Sequence, residues 1–284
     1  MKILYISKGD HVDYQDDCLC IGLKELFGAD VVDINKREHI YTSYPDEAAK
    51  NLYGMGMTVS RVLPELEVDR TNIGDKIKSK YFDLIVYGSI WRSSAELQRV
   101  LEYYPKNKVI AVDGEDVTDI HPVYNTGITY FKRELKYSKP NLHPIAFAAP
   151  TNRINHNTKK VKDFSFITPL DKSTYIYRNE KDYYKDYNEA RLGVTLKKAG
   201  WDCLRHYEIL MNGCIPYFIG IELCPELTMF NFPKELCKQV IFDLKKLKHS
   251  EVYEKYIDDF TAHFYGNNTT TALAKYFINT INNN

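Results

Sequence analysis

The stretch LGVTLKKAGWDCLRHYEILMNGCIPYFIG, residues 192–220, decides the fold. It opens on a short apolar run, Leu192–Leu196, of the length and β-branched content of a buried strand. Lys197 and Lys198 end that run, and Gly200-Trp201-Asp202 turn the chain. Asp202 is a favoured residue type just ahead of a helix, and residues 203–212 carry a helical pattern. Leu204, Tyr207 and Met211 form one stripe that can face a core. Arg205 and Glu208 stand three apart on neighbouring azimuths off that stripe. Asn212-Gly213 closes the helix, and Ile215–Ile219 reads as the next strand. Strand, helix and strand at this spacing make a parallel β-α-β unit.

The same alternation continues toward the N-terminus. Ile3–Ser7 reads as a buried strand leading into the loop Lys8-Gly9-Asp10-His11. Tyr14–Phe27 has Leu19, Leu23 and Leu26 at helical spacing and Gly28 as its stop. Strands are expected at 29–34, 82–87 and 109–112, with helices at 73–80 and 95–104. A less regular stretch broken by Gly54 and Gly56 precedes a predicted helix over Thr58–Leu66. Between Pro140 and Lys162, prolines and a polar run mark a linker. Beyond it come a strand over Phe164–Thr168, a tyrosine-rich helix over Thr174–Ala190, and helices over Lys234–Leu247 and Val252–Phe264. Asn282-Asn283-Asn284 is expected to fray.

The pattern implies an α/β protein of two Rossmann-like domains, residues 1–145 and 146–284, facing a cleft, with the last helix packing back on the first domain. Three polar clusters fall where open parallel sheets collect ligands, at the strands' carboxyl ends. They are Lys8–His11, Asp113–Asp116 and Lys197–Arg205.

Composition narrows the function. Of 284 residues, 38 are Lys or Arg and 38 Asp or Glu, so the net charge is zero. That disfavours a protein built mainly to hold nucleic-acid backbones or anionic membranes. No run approaches the ~20 apolar residues of a membrane span. The opening Met-Lys-Ile-Leu-Tyr-Ile is too short for a signal peptide's apolar core. The six cysteines have no disulfide or zinc spacing. These features imply reduced thiols and a cytoplasmic setting.

A nucleotide-sugar needs cations or amide N–H groups for its diphosphate and an acceptor for its ribose hydroxyls. Lys197, Lys198, Arg205 and a helix N-terminus supply the first, and Glu208 the second. The plainer reading makes Arg205 and Glu208 a surface ion pair worth ~0.2–0.5 kcal/mol.

The run Asp202-Cys203-Leu204-Arg205-His206-Tyr207-Glu208-Ile209, with Asn212-Gly213-Cys214-Ile215-Pro216, resembles the donor-site helix of GT-B glycosyltransferases. It is most similar to that of the exostosin-like and spore-maturation CgeB-like groups. Tyr183-Tyr184 with Tyr187, Lys197–Asp202, Cys224-Pro225 and Tyr130–Leu135 extend the resemblance over roughly residues 130–237. It implies a glycosyltransferase in which Arg205 sits over the phosphates and Glu208 over the ribose, with Gly213 and Pro216 shaping the following turn. Lys197, Lys198, Trp201, Asp202 and Tyr184 join these as the candidate donor site.

An inverting enzyme of this kind needs a base on the first domain's side. Asp10 and His11 are the candidates, with Asp113, Glu115 and Asp116 as rivals. Asp113-Gly-Glu115 superficially mimics a metal–diphosphate motif, but cations stand where the metal's charge would be needed. No H-E-x-x-H spacing occurs. The expectation is therefore a metal-independent transferase without a cofactor, whose co-substrate is the donor. Its acceptor is a hydroxyl on a glycan or a modified DNA base. Lys132-Arg133-Glu134 could meet a phosphate, order the cleft, or be a solvated helical turn. The alternative function is a binding protein of the same fold that does not turn over. A dehydrogenase is disfavoured because no G-x-G-x-x-G follows the first strand.

Overall fold

The computed structural model describes residues 1–52, 57–156 and 159–283. The first half is built on β1 (Ile3–Ile6), β2 (Val31–Asp33), β3 (Leu84–Tyr87), β4 (Val109–Asp113), β5 (Thr129–Lys132) and β6 (Leu142–Pro144). They form one parallel sheet in the order β2-β1-β3-β4-β5-β6. β1, β3 and β4 are buried along their whole length, as expected of parallel strands covered on both faces. The order reverses between β1 and β3, which puts a crevice at the carboxyl ends of those strands.

Helix α1 (Tyr14–Phe27) starts where Asp13 accepts from the Asp16 amide, at 3.3 Å, and ends at Gly28, whose φ of +56° suits glycine. Three short helices follow: α2 (Asp46–Lys50), α3 (Ile73–Lys78) and α4 (Leu97–Tyr103). The apolar residues of α3 and α4, Ile77 and Val100 among them, pack with Leu4, Ile85 and Ala111 on one face of the sheet.

The second half has a three-stranded parallel sheet. It runs β7 (Lys162–Phe164), β8 (Ala190–Leu196) and β9 (Ile215–Ile219), in that order. Around it lie α5 (Glu180–Glu189), α6 (Leu204–Met211), α7 (Lys234–Phe242), α8 (Ser250–Asn267) and α9 (Thr270–Asn282). A single apolar cluster runs from Ile3, Leu19, Val112 and Phe147 through Leu192, Tyr207 and Phe218 to Phe264 and Phe277. The two sheets thus share a core.

Helix α9 returns to the first half and packs on α1. The backbones meet so closely that a Cβ on Gly22 would lie 2.0 Å from the Thr270 carbonyl oxygen. The Ala149 and Thr270 amides anchor the α8–α9 junction, pairing with Asn268 and Ala149 carbonyls at 2.9 and 3.0 Å. Gly22→Ala must push α9 away from α1 and is expected to cost ~1–3 kcal/mol, the range of overpacked sites. Equilibrium denaturation checks this.

Several expectations need correction. Thr58–Leu66 is not a helix. A single 3-10 turn, Met57–Val59, leads into extended chain whose amides pair with residues 39–42: Arg61 with His39 O and Val62 with Ile40 O, each at 2.8 Å. Pro64 cannot continue a helix, and Leu63 bridges Tyr41 instead. The tyrosine-rich helix starts at Glu180 rather than Thr174, because Asn179 caps it by accepting from the Asp182 amide at 2.9 Å. Pro140–Lys162 is not a solvated linker in its first part. Leu142–Pro144 is a sheet strand, and Ile145–Ala149 is buried in the core. The second half's first strand falls at Lys162–Phe164, not Phe164–Thr168, and the helix from Lys234 stops at Phe242 before a 3-10 segment. β5 and α9 were not foreseen as elements. Gly54, Gly56 and Asn284 lie outside the described residues.

Candidate functional site

The carboxyl ends of β1, β4 and β8 open on a cavity of about 530 Å³, within the ~300–1,000 Å³ of small-molecule sites. Tyr14, Met57 and Asp116 line it from the first half, and Phe147 from just past the boundary. Lys198, Gly200, Cys203, Arg205 and Glu208 line it from the second, with Tyr175, Arg178 and Tyr183 closing the side.

The turn after β8 is held from both halves. Arg133, at the end of β5, is 1% exposed. It donates to the Gly114 and Asp202 carbonyls at 2.9 and 2.7 Å, pairs with Asp116 and Glu134, and lies over the Phe147 ring at 4.5 Å. Glu134 accepts from the Asp202 amide at 3.0 Å, and a Cβ on Gly200 would sit 2.5 Å from the same carboxylate oxygen. A side chain at Gly200 would have to displace that carboxylate. Lys132, Arg133 and Glu134 are therefore buried clamps at a strand end, not a solvated helical turn. Lys132 pairs with Asp113 at 2.8 Å.

Asp202 does not cap α6; Cys203 holds that position, with no side-chain cap. The Asp202 carboxylate turns inward, accepting from the Phe147 amide at 2.8 Å and the Tyr207 hydroxyl at 3.0 Å. Burial pushes it up to about 6, with Arg133 and the Phe147 amide pulling the other way.

His206 fixes the turn from below. Its Nε2–H donates to the Trp201 carbonyl at 2.9 Å, so Nδ1 accepts from the Thr195 hydroxyl at 2.8 Å. Burial drives this imidazole down to about 3, and it stays neutral. Between pH 6.5 and about 3 the unfolded chain takes up a proton that the folded chain refuses. The His206 contribution is therefore whole above pH 6.5 and lost as pH falls through that window, at ~1.4 kcal/mol per unit. Asp202, and Asp16 (pushed up to about 7 by burial), act in the opposite sense, because the folded chain binds their protons first. The comparison with His206→Gln isolates the histidine. The stability of wild type relative to the variant should decline at that slope from pH 6.5 to 4, as read by denaturant titrations.

Arg205 and Glu208 are not an ion pair: no such pair occurs among the described residues. The Nε and Nη1 groups of Arg205 are shut off from solvent and have no hydrogen-bond partner among the described residues. Its guanidinium stands 5.5 Å from the Tyr175 ring centre, which Lys198 Nζ approaches at 5.9 Å. Neither Arg205, Lys198 nor the exposed Arg178 has a carboxylate within ion-pair distance among the described residues. The cavity's acids, by contrast, are engaged. Asp116 holds Arg133, Asp202 is satisfied internally, and Glu208 accepts from the Thr58 and Tyr183 hydroxyls, each at 2.5 Å. Three cations without counter-ions thus face one cavity.

The other candidates are placed differently. Lys197 is exposed, with its Nζ 5.6 Å from the Trp201 ring, and neither residue lines the cavity. Tyr184 stands behind the lining, with its hydroxyl 2.5 Å from Thr58. Asp10 is exposed on the β1–α1 loop, and neither it nor His11 lines the cavity. His11 Nε2 already accepts from Arg92 at 2.9 Å, and its carbonyl accepts from Arg37. Of the rival acids, Asp113 is buried on Lys132, and Glu115 pairs with Arg92 at 3.1 Å. Sequence reasoning missed Tyr14, Thr58, Tyr175 and Arg178. Only Arg178, a cation directly after Tyr177, carried any signal.

Among the described residues, no group of three His, Cys, Asp or Glu is placed to hold a metal ion, and no helix is long and apolar enough to cross a membrane. All six cysteines are free.

No protein-family model and no curated protein matches this chain. Among solved structures it is similar to an alpha-glucosyltransferase in complex with UDP-glucose and DNA containing an abasic site. The two share 11% identity with a TM-score of 0.43, over 99% of this chain and 98% of that one. A likeness of this size leaves function to the site itself.

Proposed function

We propose that this chain is a glycosyltransferase of GT-B type, whose halves, 1–145 and 146–284, face each other across the cavity. It moves a sugar from a UDP- or GDP-sugar to an acceptor hydroxyl, on a glycan or a modified DNA base, without a metal. One observation carries the reading: Arg205, Lys198 and Arg178 line a nucleotide-sized cavity with no counter-ion among the described residues. A guanidinium with two shielded, unpartnered N–H groups is costly unless an anion completes it. A diphosphate supplies that anion, and the three cations balance its charge as a divalent ion otherwise would. In the reaction the acceptor oxygen bonds to the anomeric carbon, and the nucleoside diphosphate leaves with the electron pair of the broken C–O bond. The same cations stabilise the charge that grows on it. Glu208 takes the ribose hydroxyls.

Asp10 or His11 would act as base only after the β1–α1 loop frees His11 from Arg92. Their absence from the cavity lining favours a second reading, a nucleotide-sugar binder without turnover. Incubation with a panel of UDP-, GDP-, ADP-, CMP- and TDP-sugars separates the two. A thermal shift with nucleotide release marks a transferase, and a shift without release, acceptors included, marks a binder. No shift with any donor overturns both.

A further inference from the structure

We infer that Thr58, contributed by the first half, is a positioning residue that sets how the Glu208 carboxylate reads donor hydroxyls. The inference rests on the proposed function but adds a residue 150 positions away in sequence. Thr58 is 1% exposed, and its hydroxyl has a single proton. A carboxylate can only accept, so that proton goes to Glu208 Oε1 at 2.5 Å, and the Tyr184 hydroxyl, also at 2.5 Å, must donate to Thr58. On the other side the Tyr183 hydroxyl donates to Oε2 at 2.5 Å. Burial, with the Glu208 charge beside them, holds both phenols well above their usual range, so they remain donors. An ionised carboxylate offers about four lone-pair sites. Two are filled by protein hydroxyls on opposite oxygens, and the other two remain for a vicinal diol, the arrangement of ribose 2′ and 3′ hydroxyls.

Thr58 itself is held from the second half. The segment Met57–Leu63 is stitched down by Asn152 donating to the Val62 carbonyl at 3.0 Å and Arg153 to the Ser60 carbonyl at 2.7 Å. Met57 lines the cavity beside Glu208. The carboxylate is thus aimed by one fixed hydroxyl from each half. Removing the Thr58 hydroxyl frees Oε1 to rotate and to take water, so recognition of the diol should loosen while the phosphate contacts stay.

The test is calorimetric binding of UDP and GDP against their 2′-deoxy forms. Wild type is expected to prefer the ribonucleotide by at least ~10-fold, because a site built to bond a hydroxyl leaves its own groups unpaired without it. Thr58→Val, which keeps the shape, should reduce that preference to within ~3-fold, and Thr58→Ser should restore it. A purely structural role would lower affinity for both forms equally and leave the ratio unchanged, which overturns the inference. A wild type that binds both forms alike also overturns it. Binding of neither form defeats the proposed function instead. Thermal melts of the variants confirm folding, and if Thr58→Val fails to fold, Thr58→Ala, which also lacks the hydroxyl, takes its place with the same expected and overturning ratios.

Discussion

Arg205→Met is expected to lose nucleoside diphosphate binding by roughly ten- to a hundredfold, the worth of charge-assisted hydrogen bonds at ~1.5–3 kcal/mol. It should do so without loss of stability. Most core arginines fail this second condition, because removing them strands a buried acid. Arg205 has no acid to strand, and its Nε and Nη1 are shielded without partners. Replacing that guanidinium with a thioether of similar reach removes a desolvation cost, so the unliganded variant should melt at or above the wild-type temperature. Turnover with any nucleotide-sugar should fall at least as far as binding, since the leaving diphosphate gains charge in the transition state. Titration calorimetry together with thermal melts checks both halves of the expectation.

Arg133→Met should behave in the opposite way. That side chain donates to two carbonyls and two carboxylates and spans β5 and the turn at Asp202. Without it Glu134, 4% exposed, keeps a buried charge with one donor fewer, and the Asp202 carbonyl loses its partner. Breaking a buried pair from one side costs ~3–5 kcal/mol. The shared core makes that loss global rather than local. A denaturant titration should show the midpoint falling with the slope unchanged. Binding should weaken only as far as the turn that carries Lys198 and Arg205 loosens.

The contrast shows what could be read from the chain beforehand. The β-α-β unit at 192–219 was legible because its apolar stripe and polar turn follow fixed periods, and helix Tyr14–Phe27 was legible for the same reason. Arg205 stood out because it joins Lys197 and Lys198 at a strand-to-helix turn, off the apolar stripe, where a diphosphate could be met. Its freedom from Glu208 was not legible. Spacing of three allows a pair, and only the arrival of Thr58 and Tyr183 from elsewhere shows that the carboxylate is already held. Arg133 reads in sequence as one charge among three, and its burial follows from a strand, Thr129–Lys132, that pairing with β4 creates. Thr58–Leu66 has apolar residues at helical spacing, yet its amides pair with the carbonyls of His39 and Ile40 instead. Such contacts between distant segments have no local signature. The loop Asp10-His11 has the composition of a functional loop, and its engagement with Arg92 and Arg37 depends on strands far along the chain.

Calorimetric titration of UDP and GDP, each against its parent nucleoside, into wild type and Arg205→Met tests the diphosphate site. If Arg205, Lys198 and Arg178 form a diphosphate site, one diphosphate should bind wild type at least ~100-fold more tightly than its nucleoside. Arg205→Met should remove most of that difference while leaving the weak nucleoside binding in place. Equal affinity for diphosphate and nucleoside, or a diphosphate preference that survives in Arg205→Met, would show that these three cations do not form a diphosphate site.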